Sequence, residues 1–224
     1  TADQSIPRLA RDLQTVLDDI GETRPAVLLG HSMGCQVILE YHVQQPDQVA
    51  ALVPMFGTYG RALDTFMGFA ASRDAFRVIR RIAPLLDRSA FRMMLPLYAS
   101  PLAFAFSRWS GLVDRYRAGR VDMQHYMEHL QQMDPRVFLR TVEQMADHDM
   151  QAHLARIDCP VLVFGGRNDL FTPVALSERM AAAIPDAELC ILEEGSHAAI
   201  VEHPATINLR IDRFLTDKCL QPSA

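Results

Sequence analysis

Residues 26–34 read AVLLGHSMG, an apolar run that stops at Gly30, places one serine in a short turn between two glycines, and restarts as a stretch of helical character. AVLLG is too short and too uniformly apolar for a surface helix, and it fits a strand buried on both faces. The stretch after it, MGCQVILEYHVQQ, is predicted helical and ends near Pro46.

The flanks extend the same alternation. Upstream, Leu9, Leu13, Val16, Leu17 and Ile20 recur at helical spacing, Pro7 suits a first turn, and Gly21 suits the position after the last, so an amphipathic helix is expected over 5–20. Downstream, VAALVPMFGTYG (49–60), CPVLVFGG (159–166) and AELCILEEG (187–195) read as three further buried strands. TPVALSERMAAAIP separates the last two as a helix, with Thr172 as N-cap and Pro173 at its first position, and HPATINLRIDRFLTD closes the chain as another. Strands and helices in this order call for an α/β fold, a doubly wound parallel sheet of about four strands covered on both faces.

Between Arg61 and roughly Arg156 the alternation disappears. That stretch is rich in Met, Phe, Leu and Arg, is broken by Pro84, Pro96, Pro101, Gly111, Gly119 and Pro135, and shows no convincing strand. The expected organisation is therefore a core in two parts, 1–60 and 157–224, with 61–156 as a helical insertion forming a cap.

Composition limits the function classes. A chain of 224 residues with 49% hydrophobic content can bury a substantial core, and a net charge of -5 gives phosphate no concentrated basic surface, which disfavours nucleic acid as a partner. The longest apolar stretch, Met93 to Phe106, is shorter than a membrane span and is interrupted by Pro96 and Pro101, so no transmembrane segment is expected. Cys35, Cys159, Cys190 and Cys219 are scattered singly, without a CxxC pair, and are read as free thiols in a reducing, cytoplasmic setting with no metal site. With no P-loop and no G-x-G-x-x-G, no cofactor is expected.

Chemistry concentrates at the opening stretch. Gly30-His31-Ser32-Met33-Gly34 is G-x-S-x-G between a predicted strand and a predicted helix, the context of a nucleophile elbow. The two glycines would let backbones approach closely around a strained Ser32. The Met33 amide would sit at a helix N-terminus, where unpaired N–H groups favour negative charge, and is the candidate oxyanion donor. A serine hydroxyl needs a base, and the base needs an orienting carboxylate. Asp169 lies just after the third strand and His197 just after the fourth. Singly each has an ordinary reading, a loop-capping carboxylate and a surface histidine. Jointly, in the order Ser, Asp, His at successive strand ends, they compose a triad.

Other groups weigh less. His125 and His129 share a helix face, but Tyr follows His125 where H-E-x-x-H needs Glu. Asp147, His148, Asp149 and His153 offer a metal cluster or an alternative triad acid, with loop capping as the plainer reading.

LLGHSMG, PVLVFGGRNDLFTP and GSHAAIVEHP resemble the elbow, acid loop and histidine loop of the α/β-hydrolase superfamily, especially bacterial members with a helical cap between two later strands. The resemblance implies Ser32 as nucleophile, His197 as general acid/base and Asp169 as the residue that fixes its tautomer. It implies hydrolysis of a carboxylic ester or thioester of a hydrophobic small molecule, with a non-catalytic binding module on an incomplete hydrolase fold as the alternative. Two departures stand out: Cys35 replaces a second glycine common after the elbow, and no earlier strand and loop precede the elbow strand to supply the second oxyanion donor that the family takes from there. The 224 residues are accordingly expected to be the C-terminal part of a longer hydrolase, with AVLLG as an uncovered sheet edge.

Overall fold

The computed structural model describes residues 3–61 and 135–219, with isolated positions between 105 and 132. Helix α1 (Ile6–Asp19) starts where the sequence provides a cap: Ser5 Oγ accepts the Arg8 N–H at 3.3 Å, and Gly21 beyond the end adopts a φ of 69°. Its buried side has Ile6 and Ala10. Strand β1 (Ala26–His31) is followed almost at once by α2 (Gly34–Gln44), then by a 3₁₀ turn (Pro46–Gln48) into β2 (Val49–Met55). After residues 62–134 come α3 (Pro135–Asp147) and a 3₁₀ turn (Gln151–Arg156), both within the stretch expected to be an insertion, and then β3 (Leu162–Gly166), α4 (Val174–Ala183), β4 (Glu188–Leu192), the short α5 (Ala199–Glu202) and α6 (Pro204–Lys218).

The strands form a four-stranded sheet in chain order, β1-β2-β3-β4, with every pair parallel. Leu29 stands opposite Val53, and Phe164 opposite Cys190. Period-two alternation divides the strand side chains between two cores. Leu52 and Val163 pack with Ile38 and Leu39 of α2 and Met180 of α4 on one face. Val53, Leu162 and Phe164 pack with Ile207, Ile211 and Phe214 of α6 on the other. The expected α/β fold is present, a parallel sheet covered on both faces by helices.

β1 departs from the expectation of burial on both faces. Leu28 is 7% exposed, but its neighbour Leu29 is 49% exposed. The reason is placement: among the described residues β1 pairs on one side only, and on the α6 face its Val27 still packs against that core while Leu29, two residues on, does not.

The ends of the segment read as an insertion meet beside the sheet. Gly60 bridges Asp149, the Arg61 N–H donates to His148 O at 2.8 Å, and the Met150 N–H donates to Tyr59 O at 2.8 Å. A Cβ on Gly60 would lie 2.6 Å from Asp149 Oδ1, so this crossing requires glycine. His125, His129 and the apolar run 93–106, apart from Ala105, lie outside the described residues. No described helix is long and apolar enough to cross a membrane.

Candidate active site

In a parallel sheet all strands end on the same side, so the loops after β1, β3 and β4 converge there. Between β1 and α2 only Ser32 and Met33 turn the chain, and Ser32 takes a φ of 56°, a left-handed conformation that costs a non-glycine residue about 1–3 kcal/mol. Surrounding contacts hold it there. The Ser32 N–H donates to Met55 O at 3.0 Å, and Ser32 O accepts the Cys35 N–H at 3.1 Å.

Close packing around the turn is supplied by Gly30 and Gly57. A Cβ on Gly30 would fall 2.4 Å from Gly34 O, and one on Gly57 2.3 Å from Ser32 O. Gly34 differs from the expectation that both motif glycines admit close approach, since a Cβ there would meet nothing within 4 Å. The Cys35 side chain fills the space beneath the turn, its Sγ–H directed at Gly30 O (3.2 Å) and Met55 O (3.5 Å), and burial pushes this thiol up to about 12. Met33 precedes α2, and its N–H donates to no group among the described residues.

The loops after β3 and β4 are tied to each other. Arg167 N–H donates to Leu192 O and Asn168 N–H to Gly195 O, both at 3.0 Å, and a Cβ on Gly166 would lie 2.5 Å from Gly195 O. This brings Asp169 under His197. His197 Nε2 lies 3.0 Å from Ser32 Oγ, and His197 Nδ1 lies 3.0 Å from Asp169 Oδ2. With Nδ1 protonated toward the carboxylate, Nε2 is left to accept the serine proton.

Asp169 has a fully buried side chain, so its charge must be met by donors. Oδ1 accepts the N–H groups of Phe171 (2.8 Å) and Thr172 (2.9 Å), and Oδ2 accepts the Thr172 hydroxyl (2.8 Å) as well as His197. Thr172 therefore does not cap α4 as expected; Pro173 is the residue before that helix, which begins at Val174. The threonine hydroxyl is turned to the carboxylate instead.

Phe171 and His31 flank the imidazole, with ring centroids 5.0 and 5.1 Å from it. His31 Nε2–H donates to His197 O at 3.0 Å. Burial, and then the neighbouring His197, hold the His31 pKa below the usual imidazole value. The sequence assigned no role to His31 or Phe171; adjacency to Ser32 and to Asp169 was the only signal.

The alternative acid is turned elsewhere. Asp149 Oδ1 accepts the Gln151 N–H at 2.9 Å, and Oδ2 lies 3.6 Å from Arg61 Nε. His148 Nε2 lies 3.0 Å from Glu40 Oε2 in a nearly buried pair. Among the described residues no group of three or more His, Cys, Asp or Glu side chains is placed to hold a metal ion.

Comparison with known proteins bears on the family and the fold. Residues 1–208 match the sequence model described as the alpha/beta hydrolase family. A protein named "Putative carbamate hydrolase RutD" from Pseudomonas savastanoi pv. phaseolicola is 27% identical over 216 residues, covering 96% of this chain and 76% of the relative. Its namesake from Escherichia coli O127:H6 is 28% identical over 206 residues, covering 92% and 71%. Among solved structures, a hydrolase from Pseudomonas aeruginosa PA01 superposes with a TM-score of 0.71 at 25% identity, covering 94% of this chain and 72% of that one. An esterase from Exiguobacterium antarcticum superposes with a TM-score of 0.70 at 15% identity, covering 96% and 75%, a likeness of fold alone.

Proposed function

The chain belongs to the alpha/beta hydrolase family, and on that footing we propose that it is a serine hydrolase that cleaves a carboxylic ester or thioester of a hydrophobic small molecule through an acyl-serine intermediate. The observation that supports this reading is the continuous relay from Ser32 Oγ through the His197 ring to Asp169, each link 3.0 Å long.

In the acylation step Ser32 Oγ attacks the substrate carbonyl while His197 Nε2 takes the hydroxyl proton. Asp169 stays ionised, held by Phe171 N–H, Thr172 N–H and the Thr172 hydroxyl, and stabilises the imidazolium. Charge developing on the carbonyl oxygen falls to the Met33 N–H at the start of α2. His197 returns its proton to the leaving alcohol or thiol, then draws a proton from water as the water oxygen attacks the acyl carbon, and finally gives that proton to Ser32 Oγ as the bond from Oγ to the acyl carbon breaks and the acid leaves. No cofactor or metal takes part in these steps.

A second reading is favoured by the RutD relatives, whose name is that of a carbamate hydrolase. The same machinery attacks a carbamate carbonyl, the substrate differing only in a nitrogen on the acyl side. Hydrolysis of p-nitrophenyl butyrate and of a p-nitrophenyl carbamate by the protein and by Ser32→Ala tests both. Turnover of the ester that Ser32→Ala abolishes is expected; faster turnover of the carbamate selects the second reading. Turnover of both unchanged in Ser32→Ala refutes the serine mechanism, and no turnover of either leaves a binding module as the better account.

A further inference from the structure

Glu202 is a buried carboxylate, 7% exposed, for which the reaction described above has no use. It lies on α5, five residues after His197. Its partners are unusual in where they sit. Oε2 accepts the Ser196 N–H at 3.0 Å, Oε1 accepts the Ser196 hydroxyl, and Oε1 also accepts the Asp114 N–H at 2.8 Å. Ser196 Oγ in turn accepts the Ala198 N–H at 3.0 Å. The residues on either side of His197 are thus fastened, one directly and one through a hydroxyl, to a single carboxylate.

Packing alone would not select an ionisable group here, because a buried carboxylate is costly unless donors surround it. An apolar side chain would fill the same volume without that cost. What the carboxylate adds is direction: two acceptor oxygens set the Ser196 peptide and hydroxyl, the hydroxyl sets Ala198, and His197 between them keeps one backbone orientation. His31 Nε2–H holds the His197 carbonyl from the other side. Two residues between β2 and α3 bear on the same loop, since Asp114 N–H reaches Glu202 and Arg117 pairs with Glu194.

We infer that Glu202, through Ser196, is a positioning residue that sets the His197 imidazole in line between Asp169 and Ser32, an inference that rests on the serine-hydrolase reading. Glu202→Gln replaces one acceptor oxygen by an N–H donor facing another donor, and Ser196→Ala removes the hydroxyl that holds Ala198. Both act on the histidine through the backbone on either side of it.

The test measures inactivation by a fluorophosphonate probe, separating the limiting rate kinact from the probe affinity KI, alongside the low-field proton resonance of His197 Nδ1–H and thermal melting. The wild-type protein is expected to label, and Glu202→Gln to label with KI unchanged and kinact reduced by up to about 10²-fold, the scale of a misplacement near 1 Å. The low-field proton should shift or broaden in the same variant. Ser196→Ala should show a smaller loss of the same kind, and the double variant should be no slower than Glu202→Gln, because the hydroxyl holds Ala198 in line only when the carboxylate orients it. If Glu202→Gln does not fold, Ser196→Ala with its reduced kinact and unchanged KI carries the expectation. Wild-type labelling with unchanged kinact and an undisturbed low-field proton in the folded variants, whatever their melting temperatures, overturns the inference. A wild-type protein that does not label overturns the reading of the site itself.

Discussion

Replacing Gly30 by alanine tests whether the elbow is held by backbone contact. A Cβ at Gly30 would sit 2.4 Å from Gly34 O, 2.6 Å from Gly34 C and 2.9 Å from Cys35 N, all of them backbone atoms. No side chain can rotate away to relieve the overlap. Ordinary contact begins at 3.4 Å, so the first turn of α2 must move off β1 by about 1 Å. That turn contains the Met33 N–H and fixes Ser32 Oγ against His197. Overpacking of this kind costs about 1–3 kcal/mol of stability, and a displacement near 1 Å costs the reaction about 10²-fold. Gly34→Ala, facing open space, should melt with the wild type and serves as the comparison. Thermal melting by circular dichroism and the rate of fluorophosphonate labelling read the two effects. Gly30→Ala that melts and labels as the wild type would refute the argument that the glycine admits the backbone.

Asp169→Asn should lower ester turnover by about 10⁴-fold by favouring the wrong imidazole tautomer, whereas Asp149→Asn, whose carboxylate serves Gln151 and Arg61, should leave turnover near wild type; the opposite ranking would move the acid. His31 has a folded pKa below its unfolded value, so the unfolded chain takes up the proton first on acidification, and stability is lost as pH falls through about 6.5 toward the folded pKa. His31→Gln, which keeps a donor for the His197 carbonyl, should make the loss of denaturation free energy between about pH 7 and about pH 5 shallower. An unchanged slope would show that burial of His31 is not linked to stability.

Much of the arrangement was legible because it is written in local pattern. Four short apolar runs alternating with helical periodicity determine a parallel sheet, and parallel strands must present their following loops on one side. Ser32, Asp169 and His197 could then be named from loop position and chain order, and the structure brings these three within hydrogen-bond reach of one another. What the pattern could not show depends on distant packing. Leu29 reads like any buried strand residue, and its exposure follows from the place of β1 at the edge of the described sheet, where Leu29 lies outside the core that Val27 joins. Gly30 and Gly34 look equivalent in the motif, yet only the path of α2 decides that a Cβ is impossible at the first and open at the second. Thr172 carries the signature of a helix cap, but a buried carboxylate within reach draws its hydroxyl away. Glu202 reads as an ordinary helical acid until Ser196 and Asp114 are seen to surround it.

The central claim is that the Ser32 hydroxyl is activated by His197. Incubating the protein with a fluorophosphonate probe, digesting it and locating the adduct by mass spectrometry tests this most directly. The account predicts one phosphonyl adduct on Ser32, absent from His197→Ala. A protein that forms no adduct, or forms it on a residue other than Ser32, or labels Ser32 equally fast without His197, would contradict it.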